Sequence, residues 1–228
     1  MQNTVENKKY IKKLSVAFIL LSILFVGVLL LLGVIIHEVF GEKEINADLS
    51  IFNFLSLDVI GPHLTAVMGV ITIFASSGFL AAAYSALIIF YLLKRNYKRS
   101  IEISIIGIAG FLINRVMKLL FHRVRPAHPL IHPLTDYSFP SGHATSGIIF
   151  YGLVAYLVCK SNIKRIYKYI ISAALILFSL IIGCSRIYLR MHYPSDVIGG
   201  FCVGAGWLAI AIGVLEYLEN KASNMVNK

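Results

Sequence analysis

No Asp, Glu, Lys or Arg occurs between positions 59 and 93, and further uncharged runs recur from Leu14 almost to the C-terminus. A helix of roughly 20 apolar residues crosses the hydrocarbon core of a bilayer. The pattern therefore predicts an all-α polytopic membrane protein, a single domain over residues 1–228, with spans near 14–36, 77–93, 100–121, 143–159, 167–185 and 195–215. The composition agrees: 58% of residues are hydrophobic and 14% charged, against about 25% charged in a soluble domain. A water-soluble enzyme and a disordered chain are both excluded. The first span follows Lys8, Lys9, Lys12 and Lys13 as a signal peptide would, but its apolar run is too long and lacks a small-residue cleavage site. It reads as a retained helix.

The chain is nonetheless basic, with 21 Lys and Arg against 11 Asp and Glu. Under the positive-inside rule the clusters Lys8 to Lys13, Lys94 to Arg99 and Lys160 to Lys168 face the cytoplasm. An even number of crossings then separates the first two clusters. After the first span only one more fits, so part of 46–75 is expected to lie along or dip into the outer interface, broken at Gly61 and Pro62. With Lys221 and Lys228, fourteen cations fall inside, and both termini are cytoplasmic. Arg115 falls within a span and reads as an anchor or a helix-packing partner. Lys43, Lys118, Arg123, Arg125, Arg186 and Arg190 fall outside or at outer helix ends, as do all seven histidines. The inner charge is topological; the outer charge requires another cause.

Two outer segments hold the unusual residues, Lys118 to His143 and Ser185 to Asp196. Lys118, Arg125 and Arg186 are costly at the edge of a bilayer without an anionic partner. Beside them stand His143, His192 and Asp196. Fixed cations, two imidazoles and a carboxylate suit phosphoryl transfer, where positive charge stabilises the equatorial oxygens while side chains attack phosphorus or move protons. Ser141 is a natural N-cap for the helix that follows, and Gly142 permits close backbone approach, so that helix start can receive an anion. Pro194 suits the first position of the last helix and puts Asp196 in its first turn, near His192.

Lys118 followed by six residues and Arg125-Pro126, then Pro140-Ser141-Gly142-His143, then Ser185-Arg186 with His192 and Asp196 at their spacing, form a three-part signature. In these residues the chain resembles the membrane-bound type 2 phosphatidic acid phosphatase superfamily, which shares its site with vanadium haloperoxidases. That superfamily includes bacterial undecaprenyl pyrophosphate phosphatases and phosphatidylglycerophosphatases of the B type. The resemblance implies His192 as the nucleophile that forms a phosphohistidine, Asp196 as its orienting partner, and His143 as the acid for the leaving oxygen. It implies Lys118, Arg125, Ser141, Gly142 and Arg186 as the phosphate-binding group, and no metal or other cofactor. The implied substrate is a lipid phosphate or pyrophosphate entering from the membrane, with undecaprenyl pyrophosphate first and phosphatidylglycerophosphate or phosphatidic acid as alternatives. The implied location is a bacterial cytoplasmic membrane with the site facing outward.

Other residues near these motifs carry blander expectations. Cys159, Cys184 and Cys202 lack pairing or metal spacing and read as small buried residues. Gly199, Gly200, Gly204 and Gly206 make a small-residue face on the last helix, suited to close packing. His122 lies one turn from Lys118 without a required role, Tyr137 and Phe139 are candidates for contact with a substrate tail, and Asp136 reads as a solvated loop charge. A transporter or flippase for anionic lipids is the rival class, but its site belongs near the bilayer midplane at broken helices. A vanadate-dependent oxidation fits a membrane bundle poorly. No nucleic-acid-binding pattern occurs.

Overall fold

The structure, a computed structural model, describes residues 26–41, 46–58, 60–132 and 134–226. They form helices α1 (Val26–Gly41, ending in a π-helical turn), α2 (Asn46–Asp58), α3 (Pro62–Ile73), α4 (Ser77–Leu93) and α5 (Tyr97–Phe121), then α6 (Gly142–Lys160), α7 (Arg165–Tyr188) and α8 (Pro194–Val226). No strand occurs among the described residues. Helix ends follow local chemistry. Ser76 Oγ accepts from Phe79 N at 3.3 Å to start α4, and Asn96 Oδ1 accepts from Arg99 N at 3.1 Å to start α5. Pro194 opens α8, where its missing N–H costs nothing.

Among the described residues α5, α6, α7 and α8 are long and apolar enough to cross a membrane, and α3 with α4 forms a fifth such unit bent by 41°. Four or five crossings thus stand beside the expected six; most of the expected span 14–36 lies outside the described residues, and its described part is helical from Val26. The break expected at Gly61 and Pro62 separates α2 from α3.

α6 is the central helix, packed on α5, α7 and α8. Ile149 and Leu153 on α6 meet Ile103 and Ile106 on α5 and Leu208 on α8, while Phe150 and Tyr151 meet Leu80 and Ile182. Lipid tails are as apolar as these side chains, so van der Waals fit rather than expulsion of water holds the helices together. Backbone meets backbone where α8 crosses α6. A Cβ on Gly200 would lie 2.7 Å from the Ser141 carbonyl oxygen, and one on Gly204 2.6 Å from that of Thr145. These are backbone atoms that cannot yield, so the expected small-residue face is a packing face.

The outward face of α5 carries Ile101, Ile105, Ile108, Leu112 and Val116, all exposed. Such a stripe is an aggregation hazard in water and an ordinary surface in lipid. Cys159 and Cys184 correct the expectation of burial: both are exposed and only Cys202 is buried. Lipid supplies the apolar surroundings that their helices' outer faces require. At the end of the bundle away from the motif residues, Arg99 pairs with Glu219 at 2.9 Å and Lys160 with Glu216 at 3.0 Å. The basic start of α5 and the basic end of α6 therefore share one end.

Candidate active site

Four helix ends converge at the other pole. α5 delivers Lys118 in its last turn and α7 delivers Arg186; α6 begins at Gly142 and His143, and α8 carries Asp196 in its first turn. The Ser141 N–H donates to the Asp196 carbonyl at 2.9 Å, which ties the start of α6 to the start of α8. Between them opens a cavity of about 830 Å³, lined here by Lys118, Arg125, Gly142, His143 and His192 and continuing between α4 and α5 past Leu80, Tyr84 and Phe111.

His192 is 1% exposed, in the turn between α7 and α8. Its Nδ1 lies 3.6 Å from Asp196 Oδ2, outside hydrogen-bond reach, and 3.3 Å from Ser138 Oγ. Ser138 Oγ donates its single hydrogen to Asp196 Oδ2 at 2.5 Å. It can then only accept from His192, so Nδ1 carries the proton of the neutral ring. The other nitrogen gives the same answer: Nε2 is 3.2 Å from Arg125 Nη1, a group that only donates. The imidazole therefore turns an unprotonated Nε2 towards Arg125, which with Lys118 forms a cationic clamp around Asp136. Burial pushes its pKa down to about 4, against the opposing pull of Asp196, so the ring is neutral near pH 7.

Asp196, fully buried, is held on both oxygens. Oδ2 accepts from Ser138 Oγ and, at 2.8 Å, from Tyr193 N; Oδ1 accepts from Arg123 Nη1 at 2.6 Å. Arg123 extends its other arm to Asp48 of α2 at 2.9 Å and lies over the Tyr193 ring, 4.3 Å from its centroid. Asp48 in turn accepts from Ser195 N at 2.9 Å and Ser195 Oγ at 2.6 Å. A carboxylate buried beyond water needs such partners to remain charged.

The cations meet Asp136. Lys118 Nζ sits 3.0 Å from Asp136 Oδ2 and donates to the Tyr137 carbonyl; Arg125 Nη2 donates to Asp136 Oδ1 at 2.7 Å and its Nη1 to the Met191 carbonyl at 2.6 Å. Burial favours the neutral acid, but Lys118 and Arg125 outweigh it and hold the Asp136 carboxyl below the usual range. The expectation of a solvated loop charge for Asp136 is thus corrected: two clamp cations attract it across the loop. Arg186 is buried, donates from Nη1 to Thr72 Oγ1 at 2.8 Å, and leaves its Nε without a partner. Ser141 Oγ is likewise buried and unpartnered, and Ser141 N-caps α6 without a side-chain cap bond. Both donors stand at the cationic pole, where an anion would satisfy them.

All eight sequence-derived residues come to this pole; His143, Gly142, Lys118, Arg125 and His192 face the cavity, whereas Ser141, Arg186 and Asp196 stand behind it. Phe139 is corrected as a tail contact, being fully buried in an aromatic cluster with Phe121 and Phe40. Tyr137 stacks edge-on with His122, ring centroids 4.5 Å apart, and neither ring lines the cavity. Ser138, Arg123 and Asp48 were not expected. Ser138 adjoins the Pro-Ser-Gly-His segment and could have been found there, whereas Asp48 lies 147 positions before Ser195 and carries no local signal. No group of three or more His, Cys, Asp or Glu side chains among the described residues is arranged to hold a metal ion.

Residues 101–219 match the family described as the PAP2 superfamily. The chain belongs to the PAP2 superfamily. It is 34% identical over 152 residues to phosphatidylglycerophosphatase B of Bacillus subtilis, covering 63% of this chain and 71% of that one. With the undecaprenyl-diphosphatase BcrC of the same organism it shares 31% identity over 162 residues, covering 68% and 76%. An undecaprenyl-diphosphatase of Sulfolobus acidocaldarius is 28% identical, covering 79% and 84%. Among solved structures, a transmembrane PAP2-type phosphatidylglycerolphosphate phosphatase from Bacillus subtilis superposes with a TM-score of 0.76 at 28% identity, covering 85% of this chain and 96% of that one. This PAP2 protein is accordingly an integral membrane protein, consistent with its apolar helices.

Proposed function

We propose that this lipid phosphatase removes the terminal phosphate of a lipid pyrophosphate or lipid phosphate through a phosphohistidine. The observation that carries the reading is the bare His192 Nε2 facing a cavity that also holds Lys118, Arg125 and His143. In the first step Nε2 attacks phosphorus as the bond to the leaving oxygen breaks, and His143 gives that oxygen a proton. Positive charge grows on the His192 ring, and its Nδ1–H faces Ser138 and Asp196, whose negative charge stabilises it. The equatorial oxygens are met by Lys118, Arg125, the Gly142 N–H and the two donors now lacking partners, Ser141 Oγ and Arg186 Nε. Arg125 exchanges Asp136 and Nε2 for the phosphate. Water, activated by His143, then cleaves the P–N bond and releases inorganic phosphate.

Undecaprenyl pyrophosphate is the preferred substrate, with phosphatidylglycerophosphate the alternative, and relatives of both names match the chain. The chain acts at the outer face of a bacterial cytoplasmic membrane as one domain with six crossings, both termini cytoplasmic. Support comes from the basic pole opposite the site, since Lys and Arg mark the cytoplasmic side. Support for an interfacial course of 46–75 comes from α2 and α3, of 13 and 12 residues, each too short to cross a bilayer alone, and from the bend of 41° between α3 and α4. The Gly61 N–H, just before α3, donates to the Tyr188 hydroxyl at 3.0 Å, and Thr72 Oγ1, near its end, accepts from Arg186 at 2.8 Å, so the segment is fastened to α7.

The test is phosphate release by the purified protein in detergent from undecaprenyl pyrophosphate, phosphatidylglycerophosphate and phosphatidic acid. Turnover in the wild type and its loss in His192→Ala supports the reading; full activity in that variant overturns the nucleophile.

A further inference from the structure

Arg115 stands in α5 three residues before Lys118 and lines the same cavity. It is exposed, and no described residue pairs with it by ion pair or hydrogen bond. Three residues of helix rise about 4.5 Å, so Arg115 lies one turn deeper than the clamp, towards the middle of the bundle. Lys118, Arg115, Phe111 and Ile108 follow one another at helical spacing on a single stripe of α5, and all four line the cavity. Ser146 lines it too, one turn after His143 on α6. The cavity thus passes from a cationic head, through one more cation and a hydroxyl, to an apolar groove bounded by Leu80 and Tyr84.

An unpaired guanidinium at this depth is costly unless a ligand supplies the anion. A lipid monophosphate offers none there, because its single phosphate occupies the clamp and its ester linkage and tail come next. We propose that Arg115 binds a second phosphoryl group, lying between the reacting phosphate and the lipid tail, and so selects lipids bearing two phosphates over phosphatidic acid. The inference rests on the phosphatase reading above and names the substrate class for the same site.

The two candidate classes use Arg115 differently. In a pyrophosphate the P–O bond broken joins the two phosphates, so the electron pair goes to the second phosphate and Arg115 meets charge that grows in the transition state. Its loss then falls on kcat. In phosphatidylglycerophosphate the leaving oxygen is a glycerol hydroxyl, and the second phosphate is a spectator whose charge does not change. Its loss then falls on KM.

The experiment compares wild type, Arg115→Gln and Arg115→Lys, purified in detergent, on undecaprenyl pyrophosphate and on phosphatidylglycerophosphate and phosphatidic acid with identical acyl chains. The expected result is a fall in kcat/KM of roughly tenfold or more on two-phosphate lipids relative to phosphatidic acid in Arg115→Gln, partly restored in Arg115→Lys. Equal losses on all three lipids, no loss, or a wild-type preference for phosphatidic acid overturns the inference while leaving the phosphatase reading intact. A wild type inactive on all three overturns both. If Arg115→Gln does not fold, the wild-type ranking and Arg115→Lys still decide.

Discussion

Arg123 places its Nη1 2.6 Å from Asp196 Oδ1, on the side of that carboxylate away from His192. Its second arm grips Asp48 at 2.9 Å, so α2 is fastened to the residue standing behind the proposed nucleophile. Arg123 and Asp48 are both nearly buried, and an ion pair in such surroundings is sensitive to loss of either partner.

Arg123→Ala is expected to lower kcat by roughly tenfold to a hundredfold, since small misplacements of reacting groups cost that much. Asp48→Asn, which keeps the shape and one acceptor, is expected to cost less. Steady-state kinetics of both single variants and the double variant measure the coupling. Additive losses would separate α2 from the site.

Rapid acid or denaturant quenching with substrate labelled in the terminal phosphate is expected to trap label on wild-type protein and none on His192→Ala. Ser138→Ala removes the acceptor for Nδ1–H and a donor to Asp196. It is expected to retain the label at a reduced rate, about tenfold lower for loss of one hydrogen bond to a charged group.

The His192 ring, with its pKa pushed down to about 4, is expected to keep its nucleophilic nitrogen free well below pH 6.5. The corresponding acid limb of kcat/KM therefore falls between pH 4 and 5, not near the ordinary histidine value. Stability follows the same sign. The unfolded chain binds the proton more tightly than the folded one, so protonation of His192 favours unfolding as pH falls from about 6.5 towards 4. Asp136, held below the usual carboxylate range, adds to the loss below about pH 4. Thermal unfolding in detergent across pH 4 to 7 checks the slope.

Vanadate, a trigonal-bipyramidal mimic of the transferring phosphoryl group, is expected to inhibit, and EDTA to have no effect. Asp136→Asn removes the carboxylate that occupies Lys118 and Arg125. It is expected to tighten vanadate inhibition several-fold, because the anion no longer displaces a charged competitor. Unchanged inhibition would mean that Asp136 leaves the clamp at no cost.

Gly204→Ala brings a methyl group to 2.6 Å from the Thr145 carbonyl oxygen. Forcing α8 from α6 is expected to cost about 1–3 kcal/mol of stability and to lower activity with it, because Ser141 and Asp196 are tied across the same contact. Gly213→Ala, which meets nothing within 4 Å, is the control.

Much of this protein is determined by local information. Apolar runs long enough to cross lipid force helices, and four of the six expected spans match helices α4 to α7 within a few residues of their ends, while the last matches the start of α8, which runs on to Val226. Short-range spacing also picked out eight residues that the fold brings to one pole, because each stands at or beside a helix end. Tertiary structure alone decided what surrounds them. Asp136 reads as a loop charge until the fold brings Lys118 and Arg125 within 3.0 Å, and Phe139 as a tail contact until the rings of Phe40 and Phe121 pack against it. Asp48 is one acidic residue among eleven until α2 is laid against the start of α8. Electrostatic partners act through space at a few ångströms, and no pattern along the chain encodes which distant segments will come that close.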